Sequence, residues 1–126
     1  MTIGEVGKKY NLSNDTLRYY EKIGLLNKVP KNSSGIRNYD EKTLKKIEFI
    51  KCMRSAGVEI EILIKYMKLL EIGKETVFER KKLLEEQRLK LQEKQKQINE
   101  TLSRLNYKIE IYEDIINNKR KDFTEI

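Results

Sequence analysis

The last third of the chain constrains the fold most, because apolar residues recur there every seven positions. No proline or glycine interrupts residues 75–119, and about six heptads without a break predict one long helix. One seam of this helix consists of Val77, Leu84, Leu91, Ile98, Leu105 and Tyr112. The second seam adds Leu102, Ile109 and Ile116. Nothing else in a chain of 126 residues is large enough to cover this stripe, so we expect a coiled coil with a second copy.

The charges along this helix favour an antiparallel pair. Lys81, Arg88 and Gln95 occupy the first half of the second seam, and a parallel pair would place each beside its own copy. Residues 79–96 carry 7 basic and 4 acidic side chains, whereas residues 97–114 carry 2 and 4. An antiparallel pair therefore sets opposite net charges face to face. A lone helix within one chain and a higher oligomer remain open as alternatives.

The first part of the chain predicts two short helices joined by a tight turn. Thr2 and Glu5 have the spacing of a capping box, and the first helix then runs to about Tyr10. Ser13 is the predicted N-cap of the second helix, which Gly24 ends because glycine tolerates the left-handed conformation. This arrangement is a helix-turn-helix.

Two further helices and a hairpin complete the predicted head. The runs LLNKVP and IRNY flank KNSSG, and this pattern predicts a small β-hairpin over residues 25–39. Asp40 caps a third helix that ends at SAG, and a fourth helix covers about residues 59–72. The predicted fold class is all-α with a small β-hairpin wing. The predicted domains are the head at 1–72, the dimerisation helix at 75–119 and a short C-terminal tail at 120–126.

Charge and composition narrow the class of protein. The first 56 residues carry 12 basic and 6 acidic side chains, and the remainder carries 15 and 14, so the net charge of +7 lies mostly in the head. Such a head favours binding to a polyanion, although charge that serves solubility alone is the alternative. The sequence shows no signal peptide and no apolar run of about 18 residues, which predicts a cytoplasmic protein without a membrane partner.

The chemistry of the side chains argues against an enzyme and against a metal site. The chain has one cysteine and no histidine, so no disulfide forms within it and a zinc site would need carboxylates alone. It also lacks a phosphate-binding glycine loop and a nucleophile beside a base. We therefore predict no cofactor, no catalytic residue and no metal ligand.

The stretch TLRYYEKIGLL contains the residues best suited to reading DNA. It lies on the second helix of the helix-turn-helix, the helix that enters the major groove in such modules. The helical period turns Tyr20 inward and Arg18 and Tyr19 outward. Arg18 offers a charged fork for phosphate or guanine, Tyr19 a hydroxyl for backbone phosphate, and Asn14 an amide for a base edge. A solvated arginine and a core tyrosine are the plain structural alternatives at Arg18 and Tyr20.

TLRYYEKIGLL, the downstream IRNY and the segment DEKTLKKIEFIKCMRSAGVEIEIL together resemble the DNA-binding domain of MerR-family transcription regulators. The resemblance covers residues 1 to about 72, and the long helix is similar to the family's antiparallel dimerisation helix. It implies a homodimer that bends and untwists double-stranded promoter DNA, with RNA polymerase as an indirect partner. By the same resemblance, the residues that contact DNA are Ser13, Asn14, Thr16, Arg18, Tyr19 and Lys31, with Arg37 on the flanking backbone and Tyr39 locking the wing to the third helix.

Cys52 is the candidate effector site. The chain is most similar to the small thiol-based branch of the family, which implies a response to aldehydes and other electrophiles through one cysteine at this position. The few residues after the long helix leave no room for a drug pocket, and cysteines of the metal-sensing branch are absent there. Lys45, Lys51 and Arg54 favour the reactive thiolate of Cys52, but the C-terminal end of its helix disfavours it, so the net sign stays open. The plain alternative is a small hydrophobe that fills a gap.

Two other functions remain open from the sequence. The first is an architectural or recombination-accessory protein that bends DNA and senses nothing. The second is a coiled-coil adaptor whose basic head binds an acidic protein. Steep loss of duplex binding with salt, together with preference for one inverted repeat, distinguishes a regulator from the adaptor.

Overall fold

The computed structural model describes residues 1–118, and every regular element there is helical. The helices are α1 (Ile3–Tyr10), α2 (Asn14–Lys22), α3 (Glu41–Ser55), α4 (Ile60–Ile72) and α5 (Val77–Ile116), with a 3-10 turn (Lys74–Thr76) before α5. These bounds confirm the five predicted helices. The predicted tail at 120–126, and Lys119 at the predicted end of the long helix, lie outside the described residues. No helix among residues 1–118 is both long and apolar enough to cross a membrane.

Local side-chain caps explain why the first helices begin where they do. Thr2 accepts a hydrogen bond from the Glu5 amide at 3.2 Å, and the Glu5 carboxylate accepts one from the Thr2 amide at 3.0 Å. Both hydrogen bonds of the predicted capping box are therefore present. Ser13 and Asp40 cap α2 and α3 by accepting from the amides of Thr16 and Thr43. Each cap satisfies an amide that has no partner within its own helix.

The apolar faces of these helices meet in one core. The side chains that lie almost completely buried come from α1, α2, the 25–39 segment and α3, and the largest are Val6, Leu17, Leu25, Leu26, Val29, Tyr39, Ile47 and Ile50. Leu63 and Met67 add the buried face of α4. Tyr20 is also buried, which confirms that it turns inward from α2.

The predicted β-hairpin wing is not supported, because no strand forms in the described residues. The 25–39 segment turns back on itself with a single antiparallel bridge between Lys31 and Arg37. The side-chain oxygen of Asn32 accepts from the amides of Ser34 and Ile36, at 2.9 and 3.0 Å. These bonds hold a tight turn, and Pro30 has no amide hydrogen with which to extend a ladder. We call this segment the 25–39 loop.

The chain divides into two compact units, with the boundary between Glu85 and Glu86 inside α5. In the first unit, the junction of α4 and α5 is held by polar contacts around the 3-10 turn. The Thr76 hydroxyl donates to the Leu69 carbonyl at 2.6 Å, and Arg80 donates to the Gly73 carbonyl at 3.1 Å and to Thr76 Oγ1 at 2.9 Å. The start of α5 is thereby fixed to the end of α4.

The second unit shows a long exposed apolar stripe on the described part of α5. Ile98 is 60% exposed and Ile116 is 76% exposed. The side chains of Leu102, Leu105, Ile109 and Tyr112 are each about half exposed. A surface helix normally buries such a stripe, so this surface lacks its packing partner in the single chain.

Replacement of Asp40 by alanine is expected to destabilise the protein by about 1 kcal/mol at pH 7, the usual cost of losing an N-cap. Hydrogen bonds from the Thr43 side chain and amide lower the pKa of Asp40 in the folded state. A lowered pKa means that this stabilisation is complete above the unfolded-state pKa of about 3.9 and is lost as the pH falls through the folded-state value. Urea unfolding of both proteins at pH 7 and pH 3, at one protein concentration, measures the difference.

The Asp40→Asn variant is the matched control, because asparagine caps helices without a charge. It should retain most of the stability at pH 7 and lose the pH dependence that Asp40 contributes. A penalty for Asp40→Ala of the same size at pH 7 and pH 3 would contradict the role of the charged carboxylate.

Candidate nucleic-acid interface

The start of α2 is built by two hydroxyl side chains that bond to each other. Ser13 Oγ accepts from the Thr16 amide at 3.0 Å and lies 2.7 Å from Thr16 Oγ1, within hydrogen-bond distance. Both predicted contact residues therefore have a structural role at the N-terminus of α2. A helix N-terminus carries partial positive charge, which is a favourable environment for a phosphate.

The turn before α2 depends on a close approach at Gly7. A Cβ at Gly7 would lie 2.7 Å from the Leu12 carbonyl oxygen and 3.2 Å from Asn14 Oδ1. Asn11 adopts the left-handed conformation with φ 54°, which ends α1 and redirects the chain. The absence of a side chain at Gly7 thus sets the distance between α1 and the first turn of α2, where Asn14 lies.

Arg18 and Tyr19 form the exposed face of α2. The Tyr19 side chain is 52% exposed, as is that of Arg18. Arg18 Nη1 lies 3.2 Å from the carboxylate of Asp15, one turn earlier, and Asp15 is itself almost fully exposed. An ion pair in such contact with water contributes little to stability. Arg18 is therefore held beside the helix by a contact that a phosphate can replace.

A second ion pair joins the 25–39 loop to α2. Arg37 Nε lies 2.7 Å from Glu21 Oε2, and Glu21 Oε1 accepts from the Val29 amide at 3.3 Å. The hydrogen bond and charge of Glu21 raise the pKa of Arg37. The pair is only partly exposed, so water screens it less than the Arg18 pair. One carboxylate on α2 thus holds two points of the loop.

The structure places Tyr39 inside the core, so its ring is not on the surface as a DNA contact would require. Tyr39 is 1% exposed. Its amide donates to the Met1 carbonyl at 2.7 Å, and its carbonyl accepts from the Met1 ammonium at 3.1 Å. Burial raises the pKa of Tyr39, and its hydroxyl has no hydrogen-bond partner among the described residues. Its burial supports the predicted structural role at the end of the 25–39 loop, and direct contact with DNA through the ring is not supported.

The predicted contact residues fall into two groups in the structure. One group shares α2 and its N-cap and consists of Ser13, Asn14, Thr16, Arg18 and Tyr19. The other comprises Lys31, which is exposed, and Arg37, which pairs with Glu21. Sequence reasoning missed Glu21 and Gly7. No local sequence pattern identifies Glu21, because its partner Arg37 lies sixteen residues away. The close approach at Gly7 does not change the spacing of apolar residues along the helix, so the sequence pattern does not reveal it either.

Cys52 is exposed on α3. Two of the three cations that are near it in sequence bond to backbone carbonyls: Lys51 donates to Tyr10, and Arg54 donates to Val58 at 2.9 Å. Lys45 is exposed on the same helix. Lys51 and Arg54 therefore have backbone partners that the sequence did not predict. Over residues 1–118, no cluster of three or more metal-binding side chains occurs.

Comparison with known proteins points to one family. Residues 1–70 match the family model described as MerR HTH family regulatory protein. The chain is 51% identical over 88 residues to the HTH-type transcriptional regulator AdhR of Bacillus subtilis, a match that covers 70% of this chain and 63% of AdhR. It thus spans less than two thirds of that relative. It is also 28% identical over 112 residues to an uncharacterised HTH-type transcriptional regulator of Haemophilus influenzae, which covers 89% of this chain and 83% of the relative.

Solved structures similar to this chain belong to the same family. A MerR family transcriptional regulator from Listeria monocytogenes has a TM-score of 0.86 and 40% identity, covering 90% of this chain and 86% of that one. HiNmlR, described as a MerR family regulator lacking the sensor domain and solved bound to promoter DNA, has a TM-score of 0.82 and 27% identity. The alignment covers 90% of both chains.

Proposed function

Because the chain belongs to the MerR HTH family of regulatory proteins, we propose that it is a homodimeric transcription regulator that binds and distorts promoter DNA. The named relatives are transcriptional regulators, which agrees with the prediction that the chain is not an enzyme. The observation that carries the proposal is the exposed Arg18 and Tyr19 face of α2, on a fold similar to that of HiNmlR bound to promoter DNA.

The proposed contacts are of two kinds: contacts to phosphate that position the protein on DNA, and contacts to base edges that read the sequence. Ser13 and Thr16 present the N-terminus of α2 to phosphate, and Tyr19 adds a phenolic hydroxyl. Arg18 and Asn14 have the donors that read base edges in the major groove. Lys31 on the 25–39 loop extends the contact to the flanking backbone, and Arg37 holds that loop against α2. Contacts of this kind also offset the cost of bending the duplex, which is several kcal/mol.

The exposed stripe on α5 supports the dimer. A helix with this much uncovered apolar surface gains most by pairing with an identical helix. The opposite net charges of residues 79–96 and 97–114 favour the antiparallel orientation. Two copies of α2 on one dimer fit a near-palindromic site, and RNA polymerase then acts on the DNA that they deform.

Cys52 is the proposed sensing residue because its thiol is exposed on α3. In the proposed reaction, the thiolate sulfur attacks the carbonyl carbon of an aldehyde, and the carbonyl oxygen takes a proton from water to give a hemithioacetal. Other electrophiles would alkylate the same sulfur. A regulator of this type gains an adduct on α3 only while the reactive compound is present, which gives a reversible signal in the aldehyde case.

Footprinting on the DNA upstream of the chain's own gene tests this function. We expect protection of one inverted repeat, and a change in the footprint or in transcription when a small aldehyde is added. The Cys52→Ala variant should bind the same DNA with unchanged affinity and should not respond to the aldehyde. Ser103→Ala, which removes an exposed hydroxyl from α5, is the control and should respond normally. Normal switching by Cys52→Ala would refute sensing through this thiol.

A DNA-bending architectural protein without an effector is the second candidate. It is favoured by the bonds of Lys51 and Arg54 to backbone carbonyls, which give both cations a structural role that requires no effector. Such a protein would protect and bend the same DNA, but aldehyde would leave promoter activity unchanged in both the wild type and Cys52→Ala.

A further inference from the structure

The carboxylate of Glu21 connects α2 to both arms of the 25–39 loop. Glu21 Oε1 accepts from the Val29 amide at 3.3 Å on the first arm, and Oε2 lies 2.7 Å from Arg37 Nε on the second arm. The side chain of Glu21 is 15% exposed and that of Arg37 is 35% exposed. Water therefore screens this ion pair less than it screens a fully exposed one.

This use of the carboxylate leaves part of the Arg37 guanidinium free. The guanidinium of arginine has donors on Nε and on both Nη atoms, and Glu21 accepts from Nε alone. Glu21 Oε1, which would accept from an Nη atom in a bidentate pair, is bonded to Val29. Among residues 1–118, no hydrogen bond from Nη1 or Nη2 of Arg37 occurs. The donors on both Nη atoms are thus available to an anion.

The backbone is anchored on both sides of Arg37. The Asn38 amide donates to a backbone carbonyl of the first arm at 2.7 Å, and the Ile36 amide donates to Asn32 Oδ1 at 3.0 Å. With the backbone held at both neighbours and Nε bonded to Glu21, the Arg37 side chain has few accessible rotamers. A side chain that is ordered before binding loses less entropy when it meets a ligand.

We propose that Glu21 is a positioning residue for DNA binding, because it holds the Arg37 guanidinium with both Nη atoms free to donate to a backbone phosphate beside the contact of α2. This inference rests on the proposed binding of promoter DNA. A carboxylate near DNA normally repels phosphate. At Glu21 the paired guanidinium compensates that charge, and the ordered fork matches the geometry of a phosphate.

The direction in which Glu21→Gln changes DNA affinity tests the proposal. Glutamine has nearly the same shape and keeps an oxygen for the Val29 amide, but it loses the charged bond to Arg37. Because the variant is more positive, long-range electrostatics alone would tighten binding. Loss of the ordered guanidinium should instead lower affinity about threefold to tenfold for the duplex that the wild type protects upstream of its own gene.

Asp15→Asn is the matched control. It removes the other carboxylate of α2 that pairs with an arginine, and that pair is exposed, so the carboxylate orders nothing beyond Arg18. DNA affinity should rise in Asp15→Asn and fall in Glu21→Gln, although both variants gain the same charge.

A double-variant cycle shows whether Glu21 acts through Arg37. Arg37→Gln should weaken binding about tenfold and reduce the salt slope by about one, as expected for a lost phosphate contact. In the Arg37→Gln background, Glu21→Gln should no longer weaken binding, because no guanidinium is left to position. In both single variants, hydroxyl-radical footprinting should show weaker protection of the backbone that flanks each half-site, with the half-sites themselves still protected.

Arg37→Lys keeps the charge and a bond to Glu21 but lacks the fork. It should fold like the wild type and bind the duplex about threefold more weakly. Circular dichroism at the assay temperature establishes that each variant is folded, and if Glu21→Gln is not, the affinity of Arg37→Lys decides the matter.

Three results would overturn the proposal. The first is tighter binding by Glu21→Gln, as for Asp15→Asn. The second is an equal loss from Glu21→Gln in the wild-type and Arg37→Gln backgrounds. The third is wild-type affinity of Arg37→Lys. A wild-type protein that binds no duplex would instead overturn the proposed function, so the two failures are distinguishable.

Discussion

The Leu102→Glu variant is expected to lose the dimer and, with it, tight binding to DNA. Leu102 is about half exposed in the single chain and lies in the middle of the apolar stripe on α5. Burial of one leucine contributes about 1.5–3 kcal/mol, and a carboxylate at that position would have to be buried without a partner. Sedimentation velocity should then show a 15.1 kDa species. DNA affinity should fall about a hundredfold or more, because the two half-sites are no longer bound by one particle.

Ser103→Glu is the control for this variant. Ser103 is the next residue, is exposed, and bonds through its hydroxyl to the Asn99 carbonyl. Because it lies about 100° or more around the helix from Ile98, Leu102 and Leu105, the new charge lies off the stripe. This variant should remain a dimer and bind DNA normally. If both variants sediment alike, the stripe is not the interface.

The Arg18→Ala variant is expected to weaken DNA binding by about tenfold to a hundredfold, the usual cost of losing an arginine contact to a base edge. Its stability should change by less than about 0.5 kcal/mol, because the pair with Asp15 is exposed and contributes little. Fluorescence anisotropy with labelled duplex and thermal unfolding measure the two quantities. If Arg18 contacts only phosphate, affinity should fall equally for all sequences, and the salt slope should decrease by about one.

Two further variants test whether the effect of Arg18→Ala comes from its position on α2 or from net charge. Arg104→Ala removes an exposed arginine from α5 and should leave DNA affinity nearly unchanged. Asp15→Asn removes a carboxylate that pairs with Arg18 and that would also repel phosphate. DNA affinity should therefore rise several-fold in this variant. Equal losses in Arg18→Ala and Arg104→Ala would mean that net charge, and not the surface of α2, determines binding.

The helices were predictable from the sequence because their signals are local. The capping box of Thr2 and Glu5, and the caps at Ser13 and Asp40, each act over three residues. The inward positions of Leu17 and Tyr20 follow from the helical period alone. Each of these patterns lies within about one turn of helix, so the helices can be predicted without the tertiary structure.

The loop and its contacts were not predictable in the same way. The apolar runs on either side of KNSSG suggest two strands, but the Asn32 side chain accepts from the Ile36 amide, which a ladder would have paired with a backbone carbonyl. The pairing of Glu21 with Arg37 joins residues sixteen positions apart, and the backbone of Tyr39 bonds to Met1 at the other end of the head. These features depend on how the helices pack, which a single sequence does not reveal.

Adjacent leucines on α5 illustrate the limit of a heptad pattern. Leu84 belongs to the predicted seam and is 40% exposed, whereas Leu83 is 6% exposed within the described chain. The heptad count assigned no role to Leu83, although it is the buried member of the pair. The first turns of α5 therefore have two apolar faces, and only one of them follows the seven-residue repeat.

Lys51 connects α3, the helix that carries Cys52, to the end of α1. The Lys51 ammonium bonds to the carbonyl of Tyr10, the last residue of α1, and the Tyr10 hydroxyl donates to Glu48 on α3 at 3.0 Å. A displacement of α3 beside the thiol would therefore act on these two hydrogen bonds, and α1 leads directly into the turn before α2. A shift of α3 would in this way reach the start of α2 within the same chain.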